Sequence, residues 1–281
     1  MMQEQQRPLI QFERVEYGYE KGKPVLRGID LSIRQGEFIA LIGGNGSGKT
    51  TLAKHCNGLY KPTSGTVRVE GKDTVTMSVA EMAGVVSYCY QNPDHQIFQS
   101  TVEAEVAFGP RNMGLSESEI QGRVEEALAA VGLIQLRKEE PYFMGKGTRQ
   151  KIAVASVLAM KPQVIVLDEP TTGLDHHGVR EMMALIAALH RAGHTIVAIT
   201  HDMRLVAEYA ERVVVMRQGE IICDDVPARV FAQPERLAEA QVEPPALSRF
   251  ALEAGLTEPL PLTFDSLYVQ MAKKLQERGG R

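Results

Sequence analysis

The stretch from Gly43 to Thr50, GGNGSGKT, constrains the fold of this chain more than any other. It fits the pattern G-x-x-x-x-G-K-[ST], and it lies between the apolar run EFIALI and an apolar helical pattern that fades at Asn57. In such a loop the backbone N–H groups point inward around phosphates, Lys49 supplies a positive charge, and the Thr50 hydroxyl can ligate magnesium. A glycine turn that matched the pattern by chance would need no strand before it and no helix after it, whereas this one has both. The sequence therefore predicts a strand, a phosphate-binding loop and a helix.

The rest of the chain predicts an α/β fold. Three β-branched runs, VIVLD, TIVAIT and RVVVM, alternate with helical patterns, as in a buried parallel sheet. Near the start, IQFERVEYGY and PVLRGIDLSI flank the turn-like EKGK and predict an N-terminal antiparallel β lobe. From Ser116 to Val131 a serine N-cap, an acidic first turn and apolar residues at helical spacing predict a helical subdomain, which we place at about residues 92–160.

Two carboxylates follow the apolar run VIVL, residues 164–167. Open α/β sheets bind ligands just beyond the carboxyl ends of their strands, where Asp168 and Glu169 lie. Asp168 could reach magnesium through water, and Glu169 could orient or deprotonate an attacking water. His201 ends a second such run, and the spacing alone leaves open whether it is structural or touches a terminal phosphate.

Composition excludes several classes of protein. Across 281 residues the net charge is -4, so there is no basic field to hold nucleic acid. No apolar run approaches the roughly 20 residues that cross a bilayer, and the first residues do not resemble a signal peptide, so a cytoplasmic protein is expected. Its three cysteines, at positions 56, 89 and 223, suggest neither a disulfide framework nor a zinc site, and buried free thiols are expected.

From about Ile10 to Phe231 the ordered motifs GGNGSGKT, CYQNPDHQIF, VIVLDEPTTGLD and AITHD resemble the nucleotide-binding subunits of ATP-binding cassette (ABC) transporters. The segment Gln91 to Pro110 is similar to the energy-coupling factor (ECF) ATPases, which power vitamin and metal uptake. The resemblance implies an ATP hydrolase coupled to transport, a sandwich dimer that holds each ATP between one subunit's phosphate loop and the other's signature loop, and Mg²⁺ as cofactor.

The resemblance also assigns roles to single residues. Tyr19 would stack on adenine, Gln91 would sense magnesium and a membrane partner, Asp175 would lie in the loop between subunits, and His201 would contact the γ-phosphate. Catalysis would rest on Glu169, His201 and Lys49, and magnesium would be held by Thr50, Gln91 and Asp168. The nucleotide would be bound by Tyr19, Gly43, Asn45, Gly46, Ser47, Gly48, Lys49, Thr50, Thr51 and Gln91, and by Gly145, Lys146 and Gly147 of the signature loop.

The signature loop departs from the family pattern. Where the family has LSGGQ this chain has MGKGT, in which Gly145 replaces the serine, Lys146 replaces a glycine and Thr148 replaces the glutamine, while Gly147 is kept. Losing one preorganised donor typically costs about 2.7–4 kcal/mol of transition-state stabilisation. Because a homodimer would carry two impaired sites, we expect a heterodimer with a second ABC ATPase subunit whose signature loop is intact. The alternative is that backbone N–H groups in MGKGT sustain near-normal turnover.

Further partners follow from the resemblance. These are a transmembrane coupling subunit and a substrate-binding membrane subunit, which would hold the chain at the cytoplasmic face of the membrane. The run from Asn92 to Phe98, directly after Gln91, mixes apolar and polar side chains that could seat a short helix of the coupling subunit, although an ordinary surface turn with Phe98 in the core is also possible. A soluble ABC ATPase acting on nucleic acid or ribosomes and a non-hydrolysing regulatory subunit are the rival interpretations, and no nucleic-acid partner is expected.

The sequence changes character beyond Phe231, where prolines interrupt short helical patterns. We therefore divide the chain into an ABC ATPase domain, residues 1–231, and a C-terminal appendage, residues 232–281. The amphipathic stretch LTFDSLYVQMAKKL in the appendage could pack on its own domain or stabilise a dimer. Nothing in the sequence identifies a transported substrate.

Overall fold

A computed structural model describes residues 8–257 and 259–279, and no side chain is described from residue 277 onward. The strands are β1 (Ile10–Tyr17), β2 (Leu26–Ile33), β3 (Phe38–Ile42), β4 (Ser64–Val69), β5 (Lys72–Asp73), β6 (Val86–Cys89), β7 (Val164–Asp168), β8 (Thr195–Ile199), β9 (Arg212–Arg217) and β10 (Glu220–Asp225). The helices are α1 (Lys49–Cys56), α2 (Val79–Ala83), α3 (Val102–Asn112), α4 (Glu117–Ala130), α5 (Lys146–Leu158), α6 (His176–Arg191), α7 (Met203–Tyr209), α8 (Pro227–Phe231), α9 (Pro234–Glu239), α10 (Ala246–Glu253) and α11 (Phe264–Gly279).

The strands form two sheets. A four-stranded antiparallel sheet has the order β2-β1-β4-β5, and a six-stranded sheet has the order β10-β9-β3-β8-β7-β6. In the larger sheet all neighbours are parallel except β10, which is antiparallel to β9. The predicted antiparallel lobe and the predicted parallel sheet are both confirmed, and every residue of β3, β7 and β8 is buried because both faces of the sheet are covered.

Side chains of β3 show how the layers are arranged. Ile39 and Leu41 point to the core shared with the antiparallel sheet and α1, whereas Ala40 and Ile42 point to a core on the opposite face. Successive residues of a strand face opposite sides, so one short strand joins both cores. The second face is covered at the β7 and β8 end by α3, α4, α5 and α6, and at the β9 end by C-terminal residues.

The helical subdomain forms as the sequence predicts. Ser116 caps α4 with a capping box in which its hydroxyl accepts from the Glu119 N–H and the Glu119 side chain accepts from Ser116. Helix α3 begins after Thr101, which accepts from the N–H of Ala104. Apolar residues of α3, α4 and α5 share one core, so the three helices hold the start of α5 in a fixed place.

C-terminal residues pack on the chain's own sheet. Leu237, Val242 and Leu256 are buried in the same core as Val213 and Val215 of β9. In α11, Leu267 and Met271 pack against this core, whereas Phe264, Tyr268, Val269 and Leu275 are exposed. One face of the amphipathic helix therefore contacts its own domain, and the division of the chain at residue 231 stays a prediction.

Two further expectations concern cysteines and membrane spans. Cys56 and Cys89 are buried free thiols whose pKa burial raises to about 12, whereas Cys223 is only partly buried. Within residues 8–257 and 259–279, no helix combines the length and the apolar character needed to cross a membrane.

Candidate functional site

The glycine loop closes around the Lys49 side chain. Its Nζ donates to the carbonyl oxygens of Gly43 (2.8 Å) and Gly44 (2.9 Å) and to the Ser47 hydroxyl (3.4 Å). Burial lowers the pKa of Lys49, and the nearby carboxylates of Glu169 and Asp168 act in the opposite direction. The ammonium is thus held inside the loop by neutral oxygens, which a more strongly attracting phosphate could replace.

Glycine is required at the two ends of the loop. Gly43 has φ +147° and lies so close to the carbonyl of Met216 that any side chain there would overlap it. Gly48, the N-cap of α1, has φ +103°, a left-handed conformation that favours glycine. Asn45, Gly46 and Thr50 are exposed, so the mouth of the loop is open to a ligand.

Asp168, at the carboxyl end of β7, is buried against Tyr88 of the neighbouring strand β6. The Tyr88 hydroxyl donates to Asp168 Oδ2 at 2.5 Å. Burial raises the pKa of Asp168, while the hydroxyls of Tyr88 and Thr50 favour the charged form. Burial, followed by the charge of Asp168, also raises the pKa of Tyr88, so the phenol stays a hydrogen-bond donor.

Glu169 stands at the centre of a hydrogen-bonded group. It accepts from Gln91 Nε2 (2.7 Å) and from the Thr172 hydroxyl (2.9 Å) at Oε2, and its Oε1 lies 2.8 Å from His201 Nε2. The backbone of Glu169 is in the left-handed region, with φ +47°, a conformation that costs a non-glycine residue energy and that clusters at functional sites. The carboxylate is therefore fixed in position by three side chains from three separate segments.

The oxygen donors near the loop suit magnesium. A hydroxyl from Thr50, a carboxylate oxygen from Asp168 and the amide oxygen of Gln91 are hard ligands of the kind Mg²⁺ prefers, and this ion keeps several waters or phosphate oxygens as its other ligands. Among the described residues, no group of three or more His, Cys, Asp or Glu side chains could hold a metal by itself. These residues fit a magnesium ion that arrives with a nucleotide.

Tyr19 lies beside the helix that follows the loop. Its ring is 59% exposed and its hydroxyl is 2.9 Å from the Thr51 hydroxyl. Tyr17 and Tyr60 stack on each other at 5.1 Å, and each meets the Tyr19 ring edge to face. An exposed aromatic face on a rigid support is a suitable surface for a planar base.

The predicted signature loop lies at the start of α5. Gly145 is the N-cap and offers no capping side chain, and the first turn contains no acidic residue. Lys146 lies across Gly173, where an added methyl group would be 2.5 Å from its Nζ, and within the described residues it makes no hydrogen bond or ion pair. Gly147 faces Leu174. The free N–H groups and the lysine are therefore available to an anion.

Arg149 links the signature loop to the segment that contains Gln91 through hydrogen bonds and an ion pair. Its guanidinium donates to the carbonyls of Tyr142 (3.2 Å) and Met144 (2.9 Å), and its Nε lies 3.0 Å from the carboxylate of Asp94. Asp175 caps α6 by accepting from the N–H of Gly178 at 2.7 Å. No hydrogen bond joins residues 144–148 to the glycine loop within the described part of the chain. The two groups of predicted nucleotide ligands thus belong to different elements, the loop before α1 and the start of α5.

Two residues of the site were missed from the sequence. Tyr88 is part of an apolar strand run and looks like an ordinary core residue until the pairing of β6 with β7 brings it beside Asp168. Thr172 lies three residues after Glu169, and a hydroxyl at that spacing is the only signal that could have suggested its contact. Both act on a carboxylate that the sequence did identify.

Comparison with known proteins agrees with this geometry. Residues 26–172 match the family model of the ABC transporter. A putative ABC transporter ATP-binding protein of Caldanaerobacter subterraneus is 53% identical over 249 residues, 89% of this chain and 44% of that protein, so this chain spans less than half of that relative. The energy-coupling factor transporter ATP-binding protein EcfA of Methanocaldococcus jannaschii is 40% identical over 256 residues, 90% of this chain and 92% of that protein.

Among solved structures, cbiO1 from Clostridium perfringens, part of the ABC transporter complex cbiONQ, is similar. It has a TM-score of 0.75 and 35% sequence identity, and the match covers 89% of this chain and 100% of that one. The predicted ABC ATPase fold is confirmed, as is the resemblance to ECF ATP-binding proteins. A match of this extent places the chain in the ABC transporter family.

Proposed function

We propose that this protein is the ATP-binding subunit of an ECF-type importer, which hydrolyses ATP at a subunit interface to power uptake of a vitamin or a metal ion. It would work at the cytoplasmic face of the membrane with a second ATPase subunit, a transmembrane coupling subunit and a substrate-binding membrane subunit. The observation that carries the proposal is the Glu169 carboxylate, which three side chains fix beside Asp168 and the Lys49 loop. A regulatory subunit without catalysis would need no such carboxylate.

The residues of this chain can perform the reaction in a simple order. Lys49 exchanges its bonds to Gly43 and Gly44 for phosphate oxygens, and the loop N–H groups hold the remaining charge. Glu169 accepts a proton from the water as the water oxygen bonds the γ-phosphorus, the bond from the γ-phosphorus to the bridging oxygen breaks, and ADP leaves with that electron pair. His201, whose Nε2 lies 2.8 Å from Glu169 Oε1, orients this carboxylate, and we propose that it also contacts the γ-phosphate. Asp168, Thr50 and Gln91 would hold Mg²⁺, which would neutralise charge that develops on the phosphates.

The signature loop makes the two sites of a dimer unequal under this proposal. Gly145 offers no hydroxyl to a γ-phosphate across the interface, and Lys146 offers only a charge on a flexible chain. Nucleotide would be retained where MGKGT closes a site, and hydrolysis would be fast where a partner's intact loop meets this chain's Lys49 and Glu169. We therefore propose a heterodimer.

Single-turnover hydrolysis tests this asymmetry. The wild-type subunit alone is compared with a variant in which Gly145→Ser, Lys146→Gly and Thr148→Gln restore SGGQ, the last four residues of the family pattern. We expect the restored homodimer to be about 100- to 1000-fold faster, as one recovered donor predicts. The gain must vanish when Glu169→Gln is added. A wild-type homodimer within about threefold of the restored one would refute the asymmetry.

A groove beside the Gln91 segment supports the proposed membrane partner. It has a volume of about 760 Å³ and is lined largely by apolar side chains that include Tyr90, Phe98, Phe108 and Met113. Phe98 is 63% exposed and meets Phe108 edge to face at 4.7 Å, so the interpretation that buried Phe98 in the core is wrong. Ile97, in contrast, packs against the core.

The rim of the groove is held in place by a buried acid. Glu105, 3% exposed, accepts from the N–H groups of Phe98 (3.0 Å) and Gln99 (2.9 Å). A short amphipathic helix of a partner could therefore enter a preformed apolar surface next to the residue that contacts Glu169. Phe98→Asp should abolish co-purification with the coupling subunit while nucleotide binding persists. Val75→Asp is the matched control, because Val75 is 58% exposed and lies outside the groove. If Phe98→Asp still assembles with the coupling subunit as the wild type does, this docking site is refuted.

A further inference from the structure

The turn after α9 touches the nucleotide-binding loop. A methyl group added at Gly44 would overlap Oε1 at the flexible end of the Gln241 side chain, and it would lie 3.2 Å from the less movable Cβ of Gln241 and carbonyl oxygen of Ala240. The conformation of Gly44 itself does not require glycine, because its φ is outside the left-handed region. The missing side chain at position 44 thus makes room for a residue that is almost 200 positions away in the sequence.

Gln241 occupies this place in an unfavourable conformation. Its φ is +56°, which lies in the left-handed region. A residue with a side chain adopts this backbone conformation only at a cost in free energy. Asn or Gly would fit the same backbone more easily. Residues held in such conformations persist where the surrounding structure fixes them, and they cluster at functional sites.

The surrounding contacts fix the turn on both sides. Leu237 and Ala240 are buried in the C-terminal core, and the preceding Glu239 forms an ion pair of 2.5 Å with Arg217 at the end of β9. The N–H of Gln241 donates to the carbonyl of Ala238 at 3.0 Å. Gln241 therefore projects from a turn that is held in place by the C-terminal core. This packing restricts movement of Gln241 away from the phosphate loop.

Gly44 in turn is directly linked to the catalytic lysine. Its carbonyl oxygen accepts from Lys49 Nζ at 2.9 Å and from the N–H of Ser47 at 3.2 Å. Two residues past Gln241, Glu243 lines a cavity of about 520 Å³ together with His201 and Thr172. The same short turn thus borders both the phosphate loop and the side of the site where Glu169 is held.

We infer that Gln241 is a positioning residue for the phosphate loop, through which the C-terminal helices set the affinity for nucleotide. The Gln241 side chain limits the movement of Gly44 and so preorganises the carbonyl and N–H groups around Lys49. A preorganised loop binds phosphate with a smaller loss of conformational freedom. This inference rests on the proposed nucleotide binding at Gly43–Thr50, and it adds a role for residues beyond 231.

The test measures binding of N-methylanthraniloyl-ATP with Mg²⁺ by fluorescence and the thermal midpoint without nucleotide, in the full chain. Gln241→Gly removes the contact and relieves the left-handed backbone, so the nucleotide-free midpoint should be unchanged or higher. The Kd should nevertheless weaken by about three- to tenfold. Gln241→Ala should weaken binding equally, and Gln241→Met, which keeps the length of the side chain, should restore it to within about twofold.

Lys161→Gly is the matched control. Lys161 is exposed, has φ +54° and lies three residues after the end of α5, so its substitution changes the backbone in the same way at a remote position and in addition removes a surface ion pair with Glu126. Gly44→Ala should also weaken binding, and its effect should be less than additive with that of Gln241→Gly, because both disturb one contact.

The outcomes separate this inference from the proposed function. A wild-type chain that binds no more nucleotide than Lys49→Met would refute the nucleotide site itself. Binding by the wild type together with an unchanged Kd in Gln241→Gly and Gln241→Ala would overturn only the role of Gln241. An equal loss of affinity in Lys161→Gly would also overturn it, since the effect would then follow from backbone change alone.

Discussion

Replacing Glu169 by glutamine separates its chemical role from its structural role. The carboxylate receives three donors on two oxygens: Gln91 and Thr172 at Oε2, and His201 at Oε1. In Glu169→Gln the amide oxygen can take the place of Oε2 and keep the first two bonds. The amide nitrogen then faces His201 Nε2, which accepts in the tautomer with its proton on the other nitrogen. One hydrogen bond is reversed and none is lost.

The expected magnitudes follow from this geometry. Only the charge-assisted part of the bonds disappears, so the free energy of unfolding should fall by no more than about 1–2 kcal/mol. Loss of the proposed proton acceptor should slow hydrolysis by about 100- to 10,000-fold, which corresponds to about 2.7–5.4 kcal/mol in the activation barrier. Nucleotide should still bind, because Lys49 and its loop are untouched.

The assay is single-turnover hydrolysis with a partner that carries an intact signature loop, with nucleotide affinity and urea unfolding measured on the same samples. Glu126→Gln is the control, at a carboxylate 65% exposed and paired with Lys161 on the surface. If Glu169→Gln keeps a third or more of the wild-type rate while it binds nucleotide normally, Glu169 is not the proton acceptor. A fall in unfolding free energy well beyond 2 kcal/mol would instead refute the reasoning about its three bonds.

Three further predictions concern stability and its dependence on pH. Tyr88→Phe leaves the buried Asp168 carboxylate without its closest donor and should cost about 1.5–3 kcal/mol in urea unfolding at pH 7, whereas an unchanged value would mean that water replaces the hydroxyl. Burial raises the pKa of Asp168 above its ordinary 3.8, so the folded state binds this proton more tightly than the unfolded state does. The wild type should therefore lose stability relative to Asp168→Asn as pH rises from 3.8 through the folded pKa, and a constant difference from pH 4 to 7 would contradict this. The effect of Glu103 on stability changes with pH in the opposite direction, because hydrogen bonds from Arg137 and Lys138 lower its pKa to about 2. Glu103→Gln should cost about 1 kcal/mol at pH 7, a difference that shrinks as pH falls from 4.5 toward 2 in urea titrations.

Local pattern alone predicted much of this protein. The glycine loop, the strand runs and the Ser116 helix start were each identified because their signals lie within a few consecutive residues. The acids at 168 and 169 were identified because parallel strands end at one edge of the sheet. The departure of MGKGT from the family pattern is also visible in the sequence, whereas its effect on the rate of ATP hydrolysis stays a prediction.

Tertiary structure alone decided which side chains meet. Glu169 is joined to Gln91, 78 positions earlier, and the orientation of both depends on strand pairing and on the packing of α5. The sequence left open whether Phe98 is buried and whether the C-terminal stretch packs on its own domain, and both were decided by which face of an element the neighbouring cores cover. The contact of Gln241 with Gly44 leaves no local signal, because it exists only once α9 is anchored on β9. Local propensity depends on neighbouring residues, whereas these contacts depend on long-range packing, which a single sequence does not display.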